Sequence, residues 1–234
     1  MSMDTNRRGF LGRMLTAAGA LSLPFAGLRV AEAATTPVPA QDADAWLNEV
    51  QGEHKCLFDF NQHMNALGLL HINNFIGAYQ GTRVGTVATL YGIGPGSSIL
   101  MGFDDAIWDK YQIGAYAGLM DSSGRPYTRN VFNSPTEDDG HLLAQGMNVP
   151  NIAPFGGAIV ACSIPNLQSR GTKFLMCANA LGAWTYELEA RDKGAQAEIM
   201  TELQGHLLPG VTVVPAMVAA IEKAQAAGIR YNKQ

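Results

Sequence analysis

The chain has 234 residues, with 20 acidic side chains against 16 basic ones and a formal net charge of −4. It therefore lacks the basic surplus that nucleic acid or an anionic membrane surface demands. Hydrophobic residues make up 47% and glycines number 26, enough for a core of ordinary size and for tight strand–helix turns. Three cysteines without a C-x-x-C spacing exclude a thioredoxin-like dithiol.

The first 33 residues read as a targeting segment. Asn6-Arg7-Arg8-Gly9-Phe10-Leu11 resembles the twin-arginine export signature, and a modestly apolar stretch from Met14 to Leu28 follows. That stretch is too short and too weakly apolar to span a bilayer, so no stable membrane anchor is expected. Ala31-Glu32-Ala33 supplies the small-x-small pattern of a signal peptidase site. Cleavage after Ala33 removes four arginines and two acids and takes the net charge to about −6. Twin-arginine export carries folded proteins, so the expected location is the periplasm and the expected first partner is that export machinery. Residues 34–52 are expected to be a leader followed by a short helix, and 53–234 a single α/β domain.

Along that domain, Asp42 to Val50 fits a short helix with Asp42 as N-cap and Trp46, Leu47 and Val50 on one side. His54 to Phe60 reads as a first strand. Asn65 to Tyr79 places Leu67, Leu70 and Ala78 at helical spacing, with Leu69, Ile72 and Ile76 beside them. Arg83 to Tyr91 is a β-branched second strand, closed by Gly92-Ile93-Gly94-Pro95-Gly96. This glycine cluster lacks the helix that a dinucleotide fingerprint requires. Phe103 to Tyr111 reads as a helix with Asp104 and Asp105 in its first turn.

From Gly114 to Phe155 the chain reads as a long irregular insertion, with room for a short helix around Gly140 to Met147. Gly157 to Ile164 has the composition of a short strand, and Phe174 to Cys177 is a buried strand that runs directly into a helix ending near Arg191. A helix from Ala195 to Leu207, a strand at Val211 to Val214, a helix from Met217 to Ala227 stopped by Gly228, and an edge strand at Ile229 to Tyr231 complete the chain. Alternating strands and helices predict an α/β sandwich on a parallel sheet.

Chemistry concentrates at Cys177. A thiol at the tip of a parallel strand and the mouth of a helix sits where ligands bind in open α/β sheets, and helix N-termini favour negative charge. Asp59 ends the first strand and faces the same crevice if the two strands are neighbours. Arg129 and Asn130 lie in the long loop, within reach of that crevice if the loop folds over it. Asn179 either contacts a ligand or caps its helix. Cys56 and Cys162 sit on expected strands, where a bridge between them is one possibility. His54, His63 and His71 match no compact ligand motif, so neither metal nor cofactor is expected. Trp108 with Tyr111, and Trp184 with Tyr186, are expected to pack helices on the sheet or on another subunit.

The segments Lys55-Cys56-Leu57-Phe58-Asp59, Leu167-Gln168-Ser169-Arg170-Gly171 leading to Phe174-Leu175-Met176-Cys177, Leu208-Pro209-Gly210-Val211 and Val214-Pro215-Ala216 resemble the DsrE-like superfamily. Ala224 to Tyr231, read as Ala-Gln-x-x-Gly-x-x-Tyr, resembles the ending of its exported branch. The resemblance implies a mostly parallel five-stranded sheet sandwiched by helices, assembly into homo-oligomers, and sulfur relay as a persulfide on a strand-end cysteine. It thus implies a sulfurtransferase or sulfur carrier working on a small sulfur species or a protein thiol partner, with Cys177 as nucleophile. Asp59, Arg129, Asn130 and Asn179 would bind the substrate. The alternative is a non-catalytic periplasmic module that holds a small ligand, haem or metal.

Overall fold

The computed structural model of the protein describes residues 44–146 and 155–234. The expected signal peptide, the leader, the Asp42 cap and Met147 lie outside the described residues. In chain order the elements are α1 (Trp46–Glu49), β1 (His54–Asp59), α2 (Leu67–Ala78), β2 (Val84–Leu90), α3 (Asp105–Lys110), α4 (Ile113–Ala117), α5 (His141–Gly146), α6 (Gly156–Ala161) and α7 (Ile164–Ser169). They continue with β3 (Thr172–Cys177), α8 (Ala178–Ala190), α9 (Gln196–Gly205), β4 (Val211–Val214), α10 (Met217–Ala226) and β5 (Arg230–Lys233). No described helix is long and apolar enough to cross a membrane.

All five strands are parallel and lie in the order β4-β3-β2-β1-β5. The chain steps outward from β1 to β4 and then returns to the far side of β1. The winding therefore reverses between β1 and β5, the place where open α/β sheets gather ligand-binding groups. The three inner strands are buried almost throughout, because a parallel sheet is covered on both faces. Phe58, Leu57, Val87, Ala88, Phe174 and Leu175 are at most 1% exposed and form the centre of the core.

Side chains alternate between the two faces, so register decides what meets. On one face Phe58 packs edge-on against Phe75 of α2, and the hydroxyls of Thr86 and Thr172 bond at 2.7 Å. The other face carries Leu57, Asp59, Thr89, Leu175 and Cys177. Against this second face lie Val50, after α1, and the start of α10, whose Met217 N–H reaches the Cys177 sulfur.

Three expectations need correction. Gly157 to Ile164 is helical, not a strand: Gly156, Ile159 and Cys162 are buried three residues apart, and Pro165 opens α7. A short apolar run carries no period of its own, and here the helical spacing prevails. The helix expected from Asn65 starts at Leu67, after Met64, Asn65 and Ala66 adopt positive φ of 43°, 50° and 72°. The insertion is not irregular throughout: besides α5, the short helix expected from Gly140, it contains α4 and a 3-10 turn at Glu137–Gly140. It also buries Val131, Phe132, Leu142 and Leu143 in the common core.

The aromatic expectations hold in part. Trp108 is fully buried and donates its Nε1–H to the Leu100 carbonyl at 3.0 Å, and Trp184 is buried between Phe103 and Tyr111. Tyr186 instead points outward and is 63% exposed.

Candidate functional site

Cys177 is the last residue of β3 and the N-cap of α8. Its sulfur also accepts the N–H of Met217, the first residue of α10, at 3.4 Å. One sulfur thus lies at the N-termini of two helices of 13 and 10 residues, an arrangement that stabilises negative charge. The residue keeps only 6% of its surface exposed.

Asp59 ends β1 with its carboxylate buried, and β2 separates it from β3. The two strands are therefore not neighbours, and the crevice is built differently from the expectation. Tyr91, one residue past β2, spans the gap. The Leu90–Met176 pairing continues to set Tyr91 beside Cys177, and the Tyr91 hydroxyl donates to Asp59 Oδ1 at 2.7 Å. Ser98 holds the backbone at this point: its hydroxyl donates to the Phe60 carbonyl at 2.8 Å and accepts the Tyr91 N–H at 3.0 Å. Gly92 must be glycine, since its φ is +96° and a Cβ would come within 2.4 Å of the Asn61 carbonyl oxygen.

From the other side β5 delivers Tyr231, whose hydroxyl donates to Asp59 Oδ2 at 2.7 Å, and Lys233, whose Nζ lies 3.2 Å from the same oxygen. Burial pulls the Asp59 carboxyl up, but the bonds from Tyr231, Tyr91 and Lys233 outweigh it and hold the group below the ordinary carboxylate range. The phenols respond in the opposite direction. Burial, then the bond and charge of Asp59, with smaller effects from Tyr231 and Cys177, push Tyr91 well above its ordinary value. The bond to Asp59, with burial behind it, pushes Tyr231 up to about 12. Both phenols stay protonated at neutral pH, and Asp59 stays ionised.

The C-terminal edge of the sheet thus carries a line of groups on one face: Cys177, Tyr91, Asp59, then Tyr231 and Lys233. Asn179 stands exposed in the first turn of α8, and among the described residues no side-chain hydrogen bond falls to it. Arg129 and Asn130 are engaged elsewhere, against expectation. Arg129 donates to Asp139 Oδ2 and to the Ser134 carbonyl, both at 2.6 Å, and lies over the Tyr127 ring. Asn130 is fully buried, and its amide donates to the carbonyls of Met101 and Phe103 at 2.8 and 2.7 Å. Its carbonyl oxygen accepts the Phe132 N–H, so it fastens the insertion to the core and leaves nothing for a substrate.

The remaining thiols are buried and unbridged. Burial, against a weaker pull from Arg230, raises Cys56. Burial pushes Cys162, at the end of α6, up to about 12. The histidines do not converge. His54 stacks on Tyr79 at 3.9 Å, and His71 bonds the Gln234 side chain. His63 is buried with Nδ1 accepting the Asn65 N–H at 3.2 Å. Among the described residues no group of three or more His, Cys, Asp or Glu side chains could hold a metal. Two surface hollows of about 390 and 630 Å3 lie away from Cys177, one at the opposite edge of the sheet and one along α9.

Tyr91, Tyr231 and Lys233 are the site residues that sequence reasoning missed. The signal available was positional: Tyr91 follows β2 directly and Lys233 closes β5, on the face of Cys177 and Asp59, and Tyr231 lies two residues before Lys233 on that face. No protein-family model matches the chain, and no curated protein or solved structure matches it.

Proposed function

We propose that this is an exported, DsrE-like protein of sulfur or thiol chemistry in which Cys177 carries sulfur as a persulfide. One observation carries the proposal: the Cys177 sulfur accepts a backbone N–H at the junction of two helix N-termini, at the edge of a parallel sheet. A sulfur carrier needs a thiolate that can attack a polarised sulfur. With thiosulfate as donor, the thiolate attacks the outer sulfur, the S–S bond of thiosulfate breaks, and sulfite leaves with the electron pair. The new S–S bond is the persulfide, and no external oxidant or reductant is consumed.

The neighbouring groups have distinct parts. Tyr91, held by Asp59, is the protonated wall beside the sulfur. Lys233, half-exposed on the same face, is the cation an incoming sulfur oxyanion meets, and Asn179 is the polar group of the adjacent helix turn. The resemblance to the DsrE-like superfamily supports the sulfur chemistry, and the twin-arginine signature supports a periplasmic location. Homo-oligomeric assembly belongs to the same proposal, and exposed Ile93, Tyr186 and Val218 are apolar surface it would cover.

A second reading rests on the low exposure of Cys177: the sulfur is a packing element, and the protein is a non-catalytic binding or assembly module. Intact mass separates the two. After incubation with thiosulfate or polysulfide, the carrier gains about 32 Da on Cys177, and Cys177→Ala abolishes the gain. Absence of any adduct, with haem, metal or another ligand retained through purification, selects the module. Native labelling adds a second check. The carrier exposes one reactive thiol, Cys177, while Cys56 and Cys162 react only in denaturant; three thiols silent until unfolding would refute it.

A further inference from the structure

At the edge of the sheet opposite Cys177, the turn from α2 to β2 and the turn from α7 to β3 border a hollow of about 390 Å3. Ile76 and Val84 line it together with Arg83, Arg170 and Glu49. Seven of the described lysines and arginines lie within 4 Å of a carboxylate. Arg83 and Arg170 do not, so two guanidiniums with no carboxylate partner among the described residues share one hollow. The Glu49 carboxylate is already taken by the Lys173 ammonium and does not cancel them. Lys55, Lys193 and Arg230 also lack a carboxylate within that distance, but none of them lines this hollow.

Arg83 is carried on backbone that cannot shift cheaply, and Arg170 is held through its side chain. The Arg83 carbonyl accepts the Glu53 N–H at 2.9 Å, and a Cβ on Gly52 would come within 2.5 Å of that carbonyl oxygen. One amino group of Arg170 donates to Asn73 Oδ1 at 2.7 Å and to the Ala161 carbonyl at 3.3 Å, which orients the planar guanidinium and leaves its other N–H groups free. Two guanidiniums, that of Arg170 oriented by Asn73 and Ala161 and that of Arg83 free to turn, suit a tetrahedral oxyanion, to which each can donate two N–H groups. We propose that this hollow binds a phosphate or sulfate group, free or carried on a small molecule. The volume lies within the range of small-molecule sites, roughly 300–1,000 Å3, so it leaves room beyond the anion itself.

Isothermal titration at constant ionic strength tests this, with inorganic phosphate, inorganic sulfate and phosphoserine as probes and chloride as control. Saturable binding is expected, weakened about tenfold or more in Arg83→Ala and in Arg170→Ala. Arg170→Lys should fall between, because it keeps the charge and loses the fork. Tighter binding of phosphoserine than of phosphate assigns the site to an esterified ligand, and equal binding assigns it to the free anion. Heat that chloride reproduces, or binding unchanged in both alanine variants, overturns the proposal. Should Arg170→Ala fail to fold through loss of its bonds to Asn73 and Ala161, Arg83→Ala carries the test, since its guanidinium makes no hydrogen bond or ion pair with a described residue. Cys177→Ala should bind all three probes like the parent, which separates this site from the sulfur chemistry at the other edge.

Discussion

Replacing Asp59 with Asn tests whether one buried carboxylate fastens the C-terminal strand. The substitution keeps the shape, so it opens no cavity, and removes the charge that three donors share. Hydrogen bonds to a charged group contribute roughly 1.5–3 kcal/mol where the group is buried, and the Tyr91 bond belongs in that class. Tyr231 is 43% exposed and the Lys233 side chain 51%, so water compensates for much of what they lose, and each contributes under about 1 kcal/mol. The expected loss is about 2–4 kcal/mol in urea unfolding at pH 7. The loss should be local as well as global. β5 pairs only with β1 and its four residues are all exposed, so Asp59 is its main side-chain anchor. Hydrogen exchange should show the amides of Arg230 to Lys233 losing protection in Asp59→Asn before those of β2 and β3. Tyr91→Phe should cost about 1–2 kcal/mol alone and clearly less in the Asp59→Asn background, because the two share one bond. A loss under about 0.5 kcal/mol for Asp59→Asn, or additive effects of the pair, would refute the clamp.

Acid should destabilise the protein in two stages. Burial, only partly opposed by the Pro95 carbonyl, lowers His63 from 6.5, so the unfolded chain takes up that proton first and stability begins to fall below about pH 6.5. Asp59, Asp139 and Glu202 all sit below their ordinary 3.8 or 4.5, because hydrogen-bonded partners outweigh burial at each. Their stabilisation is complete above those values and is lost as pH falls through the lowered ones, so the second, steeper decline begins below about pH 4. Urea midpoints from pH 8 to 3 check both stages; His63→Gln should flatten the first and Asp139→Asn part of the second. Glycine substitutions give a sharper contrast. A Cβ on Gly114 would meet the Tyr127 carbonyl oxygen at 2.1 Å, backbone against backbone, so Gly114→Ala should cost about 3 kcal/mol. Gly157, inside α6 with nothing within 4 Å of its Cβ position, should gain about 0.5–1 kcal/mol as Ala. Equal midpoints for the two variants would contradict the packing described.

Local pattern by itself determined the α/β class, all five strands to within two residues, and the strand-end, helix-start place of Cys177. These follow from short-range physics: β-branched apolar runs bounded by glycine, and helical spacing broken by Gly81 and Gly228. Tertiary structure decided what no run of neighbours encodes. Whether β1 and β3 touch depends on strand order, and with β2 between them it is Tyr91, unremarkable in its own segment, that links Asp59 to the sulfur. Arg129 and Asn130 looked available because a polar loop has no period to reveal burial, yet Asp139 and the Met101 and Phe103 carbonyls had already claimed them. Gly157 to Ile164 became helical because the face it had to bury was set by the segments around Glu137 and Gly140, where Gly156 packs backbone to backbone. Composition and spacing record what each residue prefers; register and packing determine which partners it meets.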